Sequence, residues 1–345
     1  VAVQTHQNKI VKFIIDKYGM STVSLQICIE AMNTQAFCLY YKDMKSFNDV
    51  NYSNELTPVL ACVAFGQIYL LEKLLLKGAK LDGRDIDGRT PILIAPHSFC
   101  DEMLVFLLER KLDIEARDRF NQTALLNAVS CGNIDAVCIL IRYDANIEAK
   151  DMNGYTPYMQ AISSGSIEIA KYLEQNGAKT DNCDKKGRTI LEIALESRST
   201  EALQYILEKG IDINTTTTSG ATILHDAVSY GSFDVFKFLI DNGMSINLVA
   251  KNGLRPIYYA ASYGKLDILQ YLYEQGAIMQ PSKTNRSTLV AAATINGHVD
   301  IVEFLIGVLD IDINELEEDG STIIHKAAAS GQSAVLHYLL NTGGN

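Results

Sequence analysis

Long apolar runs are missing from this 345-residue chain, although 48% of its residues are hydrophobic. A membrane-spanning helix needs an apolar run of about 18 residues or more, so neither a membrane helix nor a signal peptide is expected. The seven cysteines include no Cys-x-x-Cys pair. An odd number of cysteines without such a framework indicates reduced thiols. We therefore expect a cytoplasmic protein, with a nuclear or cytoskeletal location as alternatives.

Sequence signatures of catalysis are also missing. The chain has no glycine-rich phosphate loop, no Cys/His/Asp order that suggests a triad, and no metal-ligand spacing among its six histidines. We expect no enzyme activity, no cofactor and no metal. The formal net charge of −11 argues against nucleic acid as the general partner, because proteins that bind nucleic acid neutralise many backbone phosphates with lysines and arginines.

A repeat of 33 residues is the main positive feature of the sequence. A threonine, or Arg255 in one case, recurs at this period, with a last step of 34, and we call each one the threonine mark. The marks are Thr57, Thr90, Thr123, Thr156, Thr189, Thr222, Arg255, Thr288 and Thr322. A small residue follows five positions after each mark, and a glycine follows nine positions after most of them. A fixed period of this length indicates a stacked repeat protein.

One repeat, residues 154–184, illustrates the local structure that this pattern predicts. Thr156 is suited to cap a helix whose first residue is Pro157, since proline is tolerated there. Ala161 is small enough for a neighbouring helix to approach closely. Gly165 can end the first helix in a left-handed conformation. The apolar spacing that follows predicts a longer second helix.

The segments "DIDGRTPILIA", "GATILHDAVSYG" and "GHVDIVEFLIGVLDIDIN" resemble the ankyrin-repeat family. The resemblance implies an all-α solenoid of stacked helix-turn-helix units joined by β-hairpin-like turns. Nine repeats are expected over residues 53–345, after about one and a half degenerate repeats over residues 1–52. The array is divergent and is similar to the degenerate arrays common in single-celled eukaryotes. Neither end has the polar pattern of a capping repeat, so we expect either a piece of a longer protein or the loss of one end.

Three residues depart from the repeat pattern. Pro96 falls inside the first helix of its repeat, where it removes a backbone donor and should shorten the helix. Phe99 and Arg198 stand where other repeats carry the helix-ending glycine. The simplest interpretation is a shortened helix and a loosened loop. The alternative is a notch that presents His97, Ser98 and Phe99 to a partner.

The resemblance also indicates where a partner would bind. In the family, the turn tips and the end of the first helix line a concave groove. At those positions the chain carries basic and aromatic residues, which suit a non-catalytic scaffold for an acidic or phosphorylated protein segment. The candidate partner-binding residues are Phe65, Arg89, Arg119, Phe120, Tyr155, Lys185, Lys186, Arg188, Tyr230 and Tyr263.

Two other functions fit the same sequence. The chain could be the targeting arm of a larger enzyme or effector whose catalytic domain lies outside it. It could also be a structural element of a large cytoskeletal-type assembly, in which the outer helices would be buried as well.

Overall fold

The computed structural model describes residues 56–279, 289–316 and 320–344. Within these ranges the helices form nine successive pairs, and we number the α-helices in chain order. They are α1 Pro58–Ala64, α2 Ile68–Leu76, α3 Pro91–Ile94, α4 Asp101–Glu109, α5 Ala124–Ser130, α6 Ile134–Arg142, α7 Pro157–Ser163, α8 Ile167–Gln175, α9 Ile190–Glu196, α10 Thr200–Glu208, α11 Ile223–Tyr230, α12 Phe233–Asp241, α13 Pro256–Tyr263, α14 Leu266–Glu274, α15 Leu289–Asn296, α16 Val299–Leu309, α17 Ile323–Ala329 and α18 Ser333–Asn341. The predicted segment 1–52 lies outside the described residues.

The threonine marks within the described ranges directly precede the first helix of their repeats, as the sequence predicts. The side chains of Thr57, Thr123 and Thr156 each accept a hydrogen bond from the backbone N–H three residues later, at 3.2, 3.4 and 3.3 Å. Each threonine has extended backbone angles, and Pro157 follows as the first helical residue of α7. These hydroxyls satisfy donors that the first turn of a helix would otherwise leave unpaired.

The first helices end in a left-handed residue. Gly165, after α7, has a φ of +70°, as expected for a glycine at this position. Phe99 and Arg198 adopt the same conformation, with φ values of +50° and +56°, although neither is a glycine. At these two positions the backbone therefore adopts the left-handed conformation that glycine favours. The side chains of Phe99 and Arg198 make that conformation strained.

Pro96 interrupts the first helix of the second repeat. Helix α3 ends at Ile94 and continues as a 3-10 helix over Ala95–Ser98. Two asparagines of the next repeat donate hydrogen bonds to backbone carbonyls near this break. Asn133 Nδ2 donates to the Pro96 carbonyl at 2.9 Å, and Asn127 Nδ2 donates to the Leu93 carbonyl at 3.3 Å. The predicted shortening is confirmed, and the neighbouring repeat compensates for it.

The chain divides into two compact units, Val1–Lys186 and Gly187–Asn345. Inside each unit the first helices of neighbouring repeats pack against one another, as α5 does on α7 and α11 on α13. The second helices form an adjoining row. The small residues at the fifth position after the mark lie in this core, and Ala161 and Ala227 are fully buried. Each helix thus buries its apolar face only through its neighbours.

The turns that were expected to resemble β-hairpins contain very little strand structure. The described residues contain one isolated antiparallel bridge, between Thr216 and Thr222, and no extended strand. The bridge lies in the turn that carries the run Thr215 to Thr218. The fold within the described ranges is therefore an all-α repeat solenoid.

Candidate functional site

The turn before a threonine mark, which we call a tip, is folded by an aspartate in four successive repeats. Asp85 Oδ1 accepts hydrogen bonds from the backbone N–H groups of Asp87, at 3.0 Å, and Arg89, at 2.8 Å. Asp118 and Asp151 make the same pair of bonds in the next two tips, and Asp184 makes the first of them in the fourth. Asp85, Asp151 and Asp184 are buried. Each carboxylate thus fixes the backbone of its own tip.

Backbone hydrogen bonds join the tips of the first unit into one row. The Arg119 N–H donates to the Asp87 carbonyl at 2.9 Å, and the Met152 N–H donates to the Phe120 carbonyl at 2.9 Å. The Lys185 N–H continues the row by donating to the Asn153 carbonyl at 3.0 Å. The side chains on these tips are consequently presented at fixed separations.

Two predicted arginines meet at one aspartate. Arg119 Nη2 lies 2.6 Å from an Asp87 carboxylate oxygen, and Arg89 Nη2 lies 3.5 Å from the other oxygen. Arg89 is also bound by Asp85 through its Nε, at 2.7 Å. The side chain of Arg119 remains 56% exposed, whereas that of Arg89 is 34% exposed. Arg119 is therefore the more accessible of the two cations, and Arg89 mainly holds its own tip.

Arg119 also lies over an aromatic ring on its own tip. Its guanidinium carbon is 4.6 Å from the centre of the Phe120 ring, within the range of a cation–π contact. Phe120 is exposed, as are the apolar side chains of Ile86 and Met152 on the adjacent tips. Sequence reasoning selected Phe120 and did not select Ile86.

The remaining candidates of the first unit occupy three different settings. Lys185 and Lys186 are exposed on the fourth tip. Tyr155 is half-buried, and its N–H is held by Asp151 at 2.8 Å. Phe65 is exposed but follows α1, in the loop that leads to α2, so it lies at the other end of the first helix from the tips.

In the second unit, Arg188 and Tyr230 converge on one carboxylate. Arg188 forms an ion pair with Glu196, and the Tyr230 hydroxyl donates to Glu196 Oε1 at 3.1 Å. Burial and then the Glu196 charge raise the pKa of Tyr230 to about 12. The side chain of Arg188 is 18% exposed, so this cation is largely occupied within the protein.

Tyr263 belongs to a row of rings in the same unit. Its ring centre is 6.1 Å from that of Tyr259, and the Tyr259 ring meets the His225 ring edge-on at 4.8 Å. His225 is fully buried, whereas Tyr263 is exposed. Tyr263 is therefore the accessible end of an aromatic row that is anchored in the core.

Two buried polar residues link repeats of the second unit. His225 Nδ1 lies 2.8 Å from the Thr222 hydroxyl, and His225 Nε2 lies 3.1 Å from the Leu254 carbonyl in the next repeat. Glu192 takes the equivalent position one repeat earlier. It accepts hydrogen bonds from the backbone and hydroxyl groups of both Thr189 and Thr218.

The charges of these two groups follow from their surroundings. Burial lowers the pKa of His225 to about 4, so the ring is neutral at pH 7. Burial raises the pKa of Glu192, but its hydrogen bonds outweigh that effect, and the pKa lies below its usual value. Both groups are thus structural links between repeats.

The tip aspartates are the main residues that sequence reasoning missed. Asp85, Asp118, Asp151 and Asp184 recur five positions before the mark at the repeat period, and this signal was available in the sequence. When these aspartates are counted, the net charge of the tips is less positive than the arginines and lysines alone indicate.

Neither a metal site nor a membrane-spanning helix is found among the residues that the structure describes. No group of three or more His, Cys, Asp or Glu side chains there is arranged to hold a metal ion. No helix there combines the length and the apolar character needed to cross a membrane.

Comparison with known proteins identifies the repeat. The family model described as "Ankyrin repeats (3 copies)" matches residues 59–151, 99–182, 125–217, 212–283 and 278–345, which together span most of the chain. A search of curated proteins found no match. The 33-residue period, the capped helix pairs and this match together place the chain in the ankyrin-repeat family.

Proposed function

We propose that the chain is a non-catalytic protein-binding scaffold whose first unit binds its partner through the row of tips. Ankyrin repeats are in general protein–protein interaction modules. The observation that carries the proposal is the exposure of Arg119, Phe120 and Met152 on tips whose backbone is held by their own aspartates and by bonds between tips. A surface that is already rigid loses little conformational entropy when it binds.

The partner that suits these tips is an acidic or phosphorylated protein segment. Arg119, Lys185 and Lys186 supply exposed positive charge, and a guanidinium can grip a carboxylate or phosphate with two parallel hydrogen bonds. Phe120 and Met152 supply apolar area beside that charge. The aspartates of the tips use carboxylate oxygens to bond their own backbone, so they oppose an acidic partner less than free carboxylates would.

The other candidates take different parts in the proposal. Tyr155 extends the row of tips, Phe65 adds apolar area at the far end of α1, and Arg89 positions Arg119 through Asp87. In the second unit, Tyr263 offers exposed aromatic area, while Arg188 and Tyr230 act mainly by holding Glu196.

The test is peptide binding by Arg119→Glu. Fluorescent peptides would carry the same leucine positions with glutamate, phosphoserine or lysine between them. We expect the acidic and phosphorylated peptides to bind in preference to the lysine peptide. Arg119→Glu should weaken their binding about tenfold or more, because it replaces the accessible cation by a like charge.

Arg142→Glu is the matched control for charge. Arg142 is also exposed but ends the second helix α6, so the change in net charge is the same away from the tips. Equal binding by wild type and Arg119→Glu, or an equal loss in Arg142→Glu, would rule out the tips as the specific site.

A further inference from the structure

A groove lies on the second helices of the first unit, apart from the tips. It has a volume of about 420 Å³ and is lined by Ile68 of α2 and by Asp101, Glu102, Val105, Phe106 and Glu109 of α4. The volume falls in the lower part of the range of about 300–1,000 Å³ that ligand pockets occupy. Second helices pack in their own row, so a site here would not share residues with the tips.

The floor of the groove is apolar. Ile68, Val105 and Phe106 are only half-buried, although their neighbours Leu104 and Leu107 are in the core. The groove runs beside a helix, a shape that receives one face of an amphipathic helix.

The rim of the groove carries one sign of charge. Three of the six lining residues, Asp101, Glu102 and Glu109, are acidic, and none of the six is basic. Among the described residues, none of these three carboxylates forms an ion pair. Burial, then the negative charges of Asp135 and Glu102, raise the pKa of Asp101, so a cation placed there would relieve like-charge crowding.

The Phe106 ring already accepts a cation from inside the protein. The guanidinium carbon of Arg110 lies 3.3 Å from the ring centre, and Arg110 Nη1 donates to the Phe106 carbonyl at 3.0 Å. Arg110 is therefore engaged with Phe106. Among the described residues, no cation pairs with the three carboxylates. A basic partner would supply the electrostatic complement.

We propose that this groove is a second docking site, which binds a basic amphipathic helix of a protein partner. Apolar residues of that helix would lie on Ile68, Val105 and Phe106, and its lysines or arginines would face Asp101, Glu102 and Glu109. The charge requirement is opposite to that of the tips, so the two surfaces select different segments. Affinity should fall with salt, because exposed charges are screened over about 10 Å at 0.1 M ionic strength.

The test uses a fluorescent synthetic helix of leucine and lysine as the probe, with the full chain. We expect saturable binding, with protection from hydrogen exchange over Ile68–Leu76 and Asp101–Glu109. The double variant Glu102→Lys/Glu109→Lys should weaken binding at least tenfold. Val105→Gln should also weaken it, since it removes apolar area from the floor without a change of charge.

Helix α10 offers a matched control for the double variant. Glu201 and Glu208 occupy the same second and ninth helical positions as Glu102 and Glu109, but Gln204 stands in place of Val105. Glu201→Lys/Glu208→Lys makes the same charge change and should leave probe binding unaltered. Circular dichroism would verify that each variant keeps its helix content.

Three results would overturn the proposal. The first is an equal loss of binding in the α4 and α10 double variants, which would indicate general attraction to an acidic protein. The second is equal binding of a leucine and glutamate helix. The third is protection outside α2 and α4. Because the probe and the variants differ from those used for the tips, either proposal can fail while the other holds.

Discussion

At the scale of single residues, His225 and Glu192 take the same place in their repeats with opposite chemistry. Each lies three residues after a threonine mark and is buried, and each bonds both to its own mark and to the following turn. The imidazole can donate to a carbonyl, whereas the carboxylate accepts from N–H and hydroxyl groups. These two repeats therefore make the same link with different side chains, whereas other repeats have a buried apolar residue at this position, such as Leu60 or Leu126.

The buried histidine should make stability depend on pH. In the unfolded chain the ring takes up a proton near pH 6.5, whereas in the folded chain it does so only near pH 4. Between these values the unfolded state binds more protons, so the free energy of unfolding falls as the pH is lowered. The loss is about 3 kcal/mol at most, at about 1.4 kcal/mol for each pKa unit.

Urea unfolding at pH 7 and pH 4.5 measures this effect. We expect His225→Gln to reduce the difference between the two pH values. His325→Gln is the control, because His325 has the same place in its repeat but is exposed. An unchanged pH difference in His225→Gln would contradict the assignment.

Glu192 supports a second prediction at this scale. Glu192→Ala removes a charged acceptor of four hydrogen bonds, and we expect a cost of about 2–3 kcal/mol. Glu192→His should recover part of that loss, since a histidine there could donate to the Ala221 carbonyl as His225 does to Leu254. Thermal unfolding of the three proteins checks both statements, and a histidine variant no more stable than the alanine variant would refute the second.

At the scale of helices, the ends of the first helices show where backbone strain is stored. Phe99 and Arg198 are left-handed residues with large side chains, in a position where most repeats have glycine. Phe99 is 65% exposed, so its ring contributes little burial in return for that conformation. The strain of a left-handed non-glycine residue is about 1–2 kcal/mol.

Glycine at these two sites should stabilise the protein. We expect Phe99→Gly and Arg198→Gly each to raise the free energy of unfolding by about 0.5–1 kcal/mol, since relief of strain is partly offset by the entropy of glycine in the unfolded chain. Calorimetry would measure the shift in melting temperature. If Phe99→Gly proves destabilising while Arg198→Gly is stabilising, the phenylalanine makes a contact that outweighs its strain.

The helices were predictable from the sequence to a greater extent than the site. The caps at Thr57, Thr123 and Thr156 and the shortened helix at Pro96 depend on residues close in the chain, so local chemistry determines them. The joint contact of Arg89 and Arg119 with Asp87 depends on which side chains of successive tips face each other. The sequence placed these residues at tips but could not reveal that their charges are partly paired.

At the scale of the whole molecule, stability should be shared between neighbouring repeats. Ala161 is fully buried between packed helices, so Ala161→Asp would place an unpaired charge in the core at a cost of several kcal/mol. We expect faster hydrogen exchange in α5 and α6 as well as in α7 and α8. Gln175→Asp, at an exposed position, should leave all four helices unchanged. Exchange that increases in residues 153–184 alone would contradict the stacked arrangement.

The bonds between successive turns also restrict how such a chain can change its length. Arg84 Nη1 donates to the Arg117 carbonyl, and Arg117 Nη1 donates to the Lys150 carbonyl, each across 33 residues. Deletion of residues 118–150 would join Arg117 to Asp151, so the tip that follows would again begin with an aspartate. A deletion that is not a whole number of periods would separate donors from acceptors in the next turn. Gene duplication and loss can therefore remodel this protein in whole periods, with the bonding pattern renewed at each junction.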